Sequence, residues 1–130
     1  LYAFIKIGLG PDGGASWLLA RQVGYSRALQ IAVEGKKIKG DECHRLGLTN
    51  KLVEDGEIVA SAIDWAHRIA KLPTLAVGIT KEDIFYAMDN DLYSTIAYEA
   101  ERQTAAFASH DLVEGVSAFL QKRNPKFIGK

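Results

Sequence analysis

The stretch Gly8-Leu9-Gly10-Pro11-Asp12-Gly13-Gly14 holds a literal G-x-G-x-x-G, the spacing that cradles a pyrophosphate when it joins a strand to a helix, and it carries one carboxylate, Asp12. Glu34 stands about 20 residues on, where an acid meets a ribose in dinucleotide-binding units. Against that chemistry, Pro11 removes an N–H from the cradle and Asp12 puts negative charge beside it. A second reading makes Asp12 a helix N-cap, its carboxylate accepting from the backbone N–H groups near Gly14 and Ala15. Elsewhere, reactive side chains are sparse. Cys43 and His44 are neighbours with no third ligand in view, which predicts a surface pair rather than a metal site or a nucleophile. His67 is expected to face solvent, and His110 to bond locally beside Asp111. Glu99, Glu101 and Arg102 read as a solvated face.

The elements that must position the corner follow from periodicity. Tyr2, Phe4 and Ile7 predict a short strand, and Ala15 begins a helix that runs to about Val23 and stops at Gly24. No further strand-helix-strand alternation follows Glu34, as a dinucleotide fold would require. A second helix spans Tyr25 to about Glu34 and ends at Gly35, with Leu18, Leu19, Val23, Ala28, Ile31 and Ala32 as the buried faces of the pair. Ile38 predicts an extended piece, Asp41 caps a brief helix through Arg45 that closes at Gly47, and Lys51-Leu52-Val53-Glu54 reads as a strand. From Glu57 the text is helical. Ile58, Ala62, Trp65 and Ile69 line one helix, Val77, Ile84 and Met88 the next after Pro73, and Ile96, Ala100, Gln103 and Phe107 the inner face of a third. Leu112, Val116, Phe119 and Leu120 share a side of the last. The chain shows no internal repeat.

Composition excludes several partners. Sixteen basic and sixteen acidic groups balance, so nothing points to nucleic acid or an anionic membrane surface. No apolar run approaches the roughly 20 residues of a membrane span, and no signal peptide is seen. One cysteine, Cys43, excludes an internal disulfide and makes a cytoplasmic location the default expectation. The chain opens on Leu1 within apolar text, which predicts a piece whose upstream half lies outside it.

The run Phe4-Ile5-Lys6-Ile7-Gly8-Leu9-Gly10-Pro11-Asp12-Gly13-Gly14-Ala15-Ser16-Trp17-Leu18-Leu19-Ala20-Arg21 resembles the crotonase family of enoyl-CoA hydratases and isomerases. Ser26 to Ile31 with Gly35, Glu42 to Asn50, Lys81, and Glu114 to Arg123 follow in the family's order, so the resemblance covers nearly the whole chain. The Pro-Asp-Gly-Gly segment and the tail from Gly115 to Lys130 look most like the 1,2-epoxyphenylacetyl-CoA isomerase branch. This implies an α/β crotonase-type fold, of which the chain is the C-terminal portion, mostly α-helical with a few short strands. Residues 1–55 would end the spiral core and 56–130 would form a helical oligomerisation region, giving a homo-oligomer, trimer or hexamer.

The resemblance also implies chemistry. The substrate would be an acyl-CoA thioester, fatty or aromatic, with no separate cofactor and no metal. Two backbone N–H groups would stabilise an enolate while carboxylates move protons. Of the two glutamates that hydratases use, one would lie upstream of Leu1 and the other aligns with Phe4, so it is missing. Asp12 instead matches the aspartate of members that shift double bonds, where one carboxylate moves a proton from one carbon to another. Phe4, Pro11, Gly13 and Trp17 would border the acyl group, Trp17 being otherwise a core residue. Phe119 and Lys122 match positions that reach the coenzyme A of a neighbouring subunit, and their spacing of three predicts a shared helix face; the alternative is a core Phe119 and a solvated Lys122. Hydration, an aroyl-CoA dehalogenase-like reaction with Asp12 as nucleophile, and a helical assembly piece without activity of its own remain as alternatives.

Overall fold

The computed structural model describes residues 1–130. Contacts divide the chain into two compact units, Leu1–Glu57 and Ile58–Lys130. Both are helical, and no strand forms.

In the first unit, the segment expected as a strand is a 3₁₀ helix, Phe4–Ile7. Lys6 N donates to Ala3 O at 3.0 Å, Gly8 N to Ile5 O at 3.2 Å and Leu9 N to Phe4 O at 3.0 Å. An apolar alternation makes a strand only where another strand takes its backbone groups, and with none in reach the segment satisfies them locally. For the same reason Lys51–Glu54 is irregular rather than a strand, and the piece at Ile38 runs extended into Lys39 without pairing.

Helices α1, Ala15–Val23, and α2, Tyr25–Glu34, have the expected bounds and meet at Gly24. Gly24 N donates to Ala20 O at 2.9 Å and Gly24 O accepts from Ala28 N at 3.0 Å, so one residue ends one helix and starts the next. Leu19 and Ala28 are buried, with Ala15, Val23, Ile31 and Ala32 half-buried. Leu18, expected inside, is 51% exposed. The stripe that α1 presents runs through Ala15, Leu19 and Val23, and Leu18 lies about 100° away from Leu19 around the helix. Helix α3, Gly40–Arg45, has Lys39 rather than Asp41 at its cap, so Asp41 sits in the first turn, where it still complements the helix dipole. Gln22 Nε2 donates to Gly47 O at 2.8 Å, tying α1 to the turn after α3.

The second unit holds α4, Ile58–Ala70, α5, Thr74–Ala87, α6, Leu92–Phe107, and α7, His110–Leu120. None of these helices is long and apolar enough to cross a membrane. Helix α4 buries no residue, and Ile58, Trp65 and Ile69 on its apolar stripe are all exposed. The pairing of α5 with α6 reverses the expected faces. Thr95, Tyr98, Arg102 and Ala106 turn inward, while Ile96 and Phe107 are exposed. On α5, Ile79 is buried and Ile84 is exposed, as is Met88 at its C-terminal cap. Tyr86 stacks on Tyr98 with ring centres 4.1 Å apart, and Arg102 pairs with Glu82, so Arg102 is half-buried against α5, while Glu99 and Glu101 face solvent as expected. Asp91 and Ser109 cap α6 and α7, Asp91 Oδ1 accepting from Tyr93 N and Ser94 N, and Ser109 Oγ from Leu112 N.

The tail folds back on α7 through two acids. Asp111, 3% exposed, accepts from Ile128 N and Gly129 N, each at 2.8 Å, and its own N–H donates to Lys130 O. Glu114 accepts from both terminal nitrogens of Arg123, at 2.6 and 2.8 Å, and from Lys126 N at 2.7 Å. Burial alone would raise the Asp111 carboxyl, yet the donors from Ile128 and Gly129 hold it below the ordinary value. The Arg123 guanidinium, helped by Lys126 N–H, lowers Glu114 from 4.5 to about 2. Both acids bind protons more weakly folded than unfolded, so their stabilisation is complete above the ordinary range and is lost as pH falls through it. Thermal melting followed by circular dichroism is expected to be level above about pH 5 and to fall steadily towards pH 2. Glu114→Gln is expected to lower the plateau and flatten that fall.

Candidate active site

Asp12 sits between two hydrogen-bonded segments. Leu9 N, bonded to Phe4 O, closes the 3₁₀ side, and on the other side Asp12 O accepts from Ala15 N at 3.0 Å and Gly14 O from Leu18 N at 3.0 Å. Gly13 and Gly14 have φ of 58° and 80°, turning the chain sharply into α1. Gly14 is the cap residue of α1 and no side chain caps that helix. The N-cap reading of Asp12 is therefore corrected: the carboxylate stands two residues too early, and only its backbone oxygen meets the helix start. The dinucleotide reading also loses its frame, since no strand precedes the corner. Asp12 is exposed.

The other expected pocket residues are placed unevenly around it. Pro11 is half-buried and helps to line an apolar cavity of about 280 Å³ with Tyr2, Ile5, Leu9, Leu19 and Ala28. Phe4, Gly13 and Trp17 do not border that cavity, and neither does Asp12. Phe4 is half-buried in the 3₁₀ helix, its ring edge-on to Tyr2 with centres 6.1 Å apart. Trp17 is half-buried on the first turn of α1, and the Arg21 guanidinium lies 3.6 Å over its ring. That stack holds the indole in one orientation by an i, i+4 contact. The structure thus brings Phe4, Pro11, Asp12, Gly13 and Trp17 into one unit without enclosing a pocket around the carboxylate.

Phe119 and Lys122 belong to the second unit. Phe119, at 82% exposure, is not a core residue. The shared helix face is corrected, because α7 ends at Leu120 and Lys122 lies in the following turn at φ 53°, its N–H donating to Phe119 O at 3.2 Å. Arg123 then turns back to Glu114. The pairing of Arg123 with Glu114 was open to sequence reasoning only as a nine-residue separation, which no helical spacing flags.

His44 is exposed, with Nδ1 3.3 Å from Thr49 O, and Cys43 is half-buried with Sγ 3.9 Å from Ile38 O. His110 is the first residue of α7 and not a turn residue; its Nδ1 lies 3.7 Å from Asp111 Oδ1. No three His, Cys, Asp or Glu side chains gather in a metal-binding group.

The family model for enoyl-CoA hydratase/isomerase matches residues 2–130. The chain belongs to the enoyl-CoA hydratase/isomerase family. It is 39% identical over 128 residues to the 1,2-epoxyphenylacetyl-CoA isomerase of Escherichia coli strain K12, covering 98% of this chain and 49% of that protein. It is 33% identical over 119 residues to the short-chain-enoyl-CoA hydratase of Clostridium acetobutylicum, covering 92% of this chain and 46% of that one. The crystal structure of an enoyl-CoA hydratase from Polaromonas sp. JS666 superposes with a TM-score of 0.90 at 32% identity, over 97% of this chain and 49% of that chain. The chain spans about half the length of the relatives it matches. Its helices are thus a portion of the crotonase fold.

A carboxylate that caps nothing can be replaced without cost to the fold. Asp12→Ala is expected to change unfolding free energy by less than about 0.5 kcal/mol in denaturant titrations, the range of surface substitutions. A loss of 1 kcal/mol or more, the usual price of a removed cap, would restore the capping reading.

Proposed function

We propose that this chain carries the proton-moving carboxylate of an enzyme that shifts a double bond in an enoyl-CoA, with an aromatic acyl group among the candidate substrates. The observation that carries this reading is that Asp12 is exposed and unused by α1; in addition, Phe4 stands where the family resemblance implies a second carboxylate in hydratases. Asp12 would take a proton from one carbon of the acyl chain and return it to another, so that atoms and charge balance without water being consumed. The enolate formed in between needs two hydrogen-bond donors at the thioester oxygen, and this chain, which spans about half the length of its relatives, is not assigned them. Trp17, held by Arg21, would form one wall of the acyl site. The 39% identity to a protein named as an isomerase supports this choice. The relatives named as hydratases favour the second reading, enoyl-CoA hydration.

The two readings separate in the whole protein. Asp12→Asn is expected to lower interconversion of 2-enoyl- and 3-enoyl-CoA by about 10² or more, with coenzyme A binding largely kept. The wild-type protein is expected to add water poorly, followed by loss of the conjugated thioester absorbance with products separated by chromatography. Efficient hydration would move the second reading to first place.

Assembly belongs to the same proposal. Phe107, Phe119, Leu120, Ile96 and the stripe of α4 are exposed apolar surface of a kind that soluble monomers rarely leave open. Phe119 and Lys122 are assigned to the coenzyme A bound by a neighbouring subunit. Light scattering of the whole protein is expected to give a homo-oligomer, trimer-based, at micromolar concentration; a clean monomer would remove this part of the reading.

A further inference from the structure

Gly35 closes α2 in the left-handed region, at φ 54°, with its N–H donating to Ile31 O at 3.2 Å. Left-handed geometry alone would also admit Asn or Asp. Space would not. A Cβ on Gly35 would lie 2.9 Å from Ile5 Cγ2, 3.0 Å from Tyr2 O and 3.4 Å from Lys6 Cε. Ile5 and Lys6 belong to the 3₁₀ helix and would meet that Cβ with side-chain atoms, while Tyr2 leads into the helix and presents backbone, which cannot swing aside. The end of α2 is therefore a seat on which that helix rests, and the seat exists only while residue 35 has no side chain.

The seat matters because of what lies between it and α1. Hydrogen bonds from Gly8 N and Leu9 N to Ile5 O and Phe4 O make the segment rigid up to Leu9. Beyond the corner, α1 rests on α2 through Leu19. Both supports of the corner thus stand on the same helix, one at its C-terminal end and one along its side. A displacement of the 3₁₀ helix relative to α1 is passed to the stretch between Gly10 and Gly14, which lies outside both helices and holds Asp12.

We propose that Gly35 is a positioning residue for Asp12: the bare backbone at the end of α2 sets the height of the 3₁₀ helix and through it the place of the carboxylate. This rests on Asp12 being the acid/base of the proposed reaction. A Cβ at position 35 would push the segment by about half an ångström, and a misplacement of about 1 Å at a reacting group costs on the order of 10²-fold in rate. Gly35 substitutions should therefore lower turnover by roughly tenfold.

The test uses the whole protein, with 3-enoyl-CoA as substrate, below the melting temperature of every variant. Gly35→Ala and Gly35→Asn are expected to lower kcat roughly tenfold while KM stays within about threefold. Gly47→Ala is the control: its φ is 71° and its Cβ would meet Gln22 Nε2 at 2.9 Å, the far end of a flexible side chain that can move away. It should lower stability in the same manner yet leave kcat within about threefold. Ile5→Ala, which loosens the seat from the other side without backbone strain, is expected to lower kcat several-fold and keeps the proposal open to test if neither Gly35 variant folds. Unchanged kcat in folded Gly35 variants, or in Ile5→Ala when those do not fold, overturns the proposal, as does an equal loss in Gly47→Ala. Asp12→Asn with full turnover would remove the catalytic reading and this inference together, whereas an inactive Asp12→Asn beside a fully active Gly35→Ala would remove the positioning role alone.

Discussion

Leu19, Ala28, Ile79 and Ala118 are the apolar side chains that this chain buries, so its irregular segments are held by discrete ties more than by a core. The 3₁₀ helix sits on the bare end of α2, the turn after α3 hangs from Gln22, and the tail hangs from Asp111 and Glu114. Each tie joins a backbone group or a glycine to one side chain or helix end. That economy follows from the small buried area, since burying a side chain fully contributes only about 1.5–3 kcal/mol and few are buried here.

The same constraint shapes the interior of the second unit. Helices α5 and α6 meet through a stacked tyrosine pair and the Glu82–Arg102 ion pair, while larger apolar side chains turn outward. A helix with two usable faces buries the one its neighbour can complement. Here the polar face of α6 found a partner within the chain and the apolar one is left exposed, where the assembly we propose would cover it.

Around Asp12, the family resemblance and local chemistry point in different directions. Judged by its neighbours alone, the carboxylate is a helix cap or an ill-placed acid in a phosphate loop. The proton-carrying role we propose for it rests on the resemblance of Phe4 to Arg21 to a known family, and the matched family model agrees with that membership alone. The fold adds that the carboxylate has no structural duty at the helix start.

The sequence by itself determined the bounds of α1 and α2 and the presence of the helices after Pro73, because glycine, proline and capping residues act within a turn of where they stand. It also determined membership of the family, since a run of matched residues needs no coordinates. Tertiary structure decided the rest. Whether Phe4 and Lys51–Glu54 become strands depends on partners for their backbone groups, which lie far off in sequence or outside the chain. Which face of α6 turns inward depends on what α5 offers it. Gly35 shows the difference most plainly: as a helix stop it is legible from its position, but its approach to Tyr2 and Ile5 spans some thirty residues, and only the folded chain brings them so near that an added Cβ would lie 2.9 to 3.0 Å from their atoms.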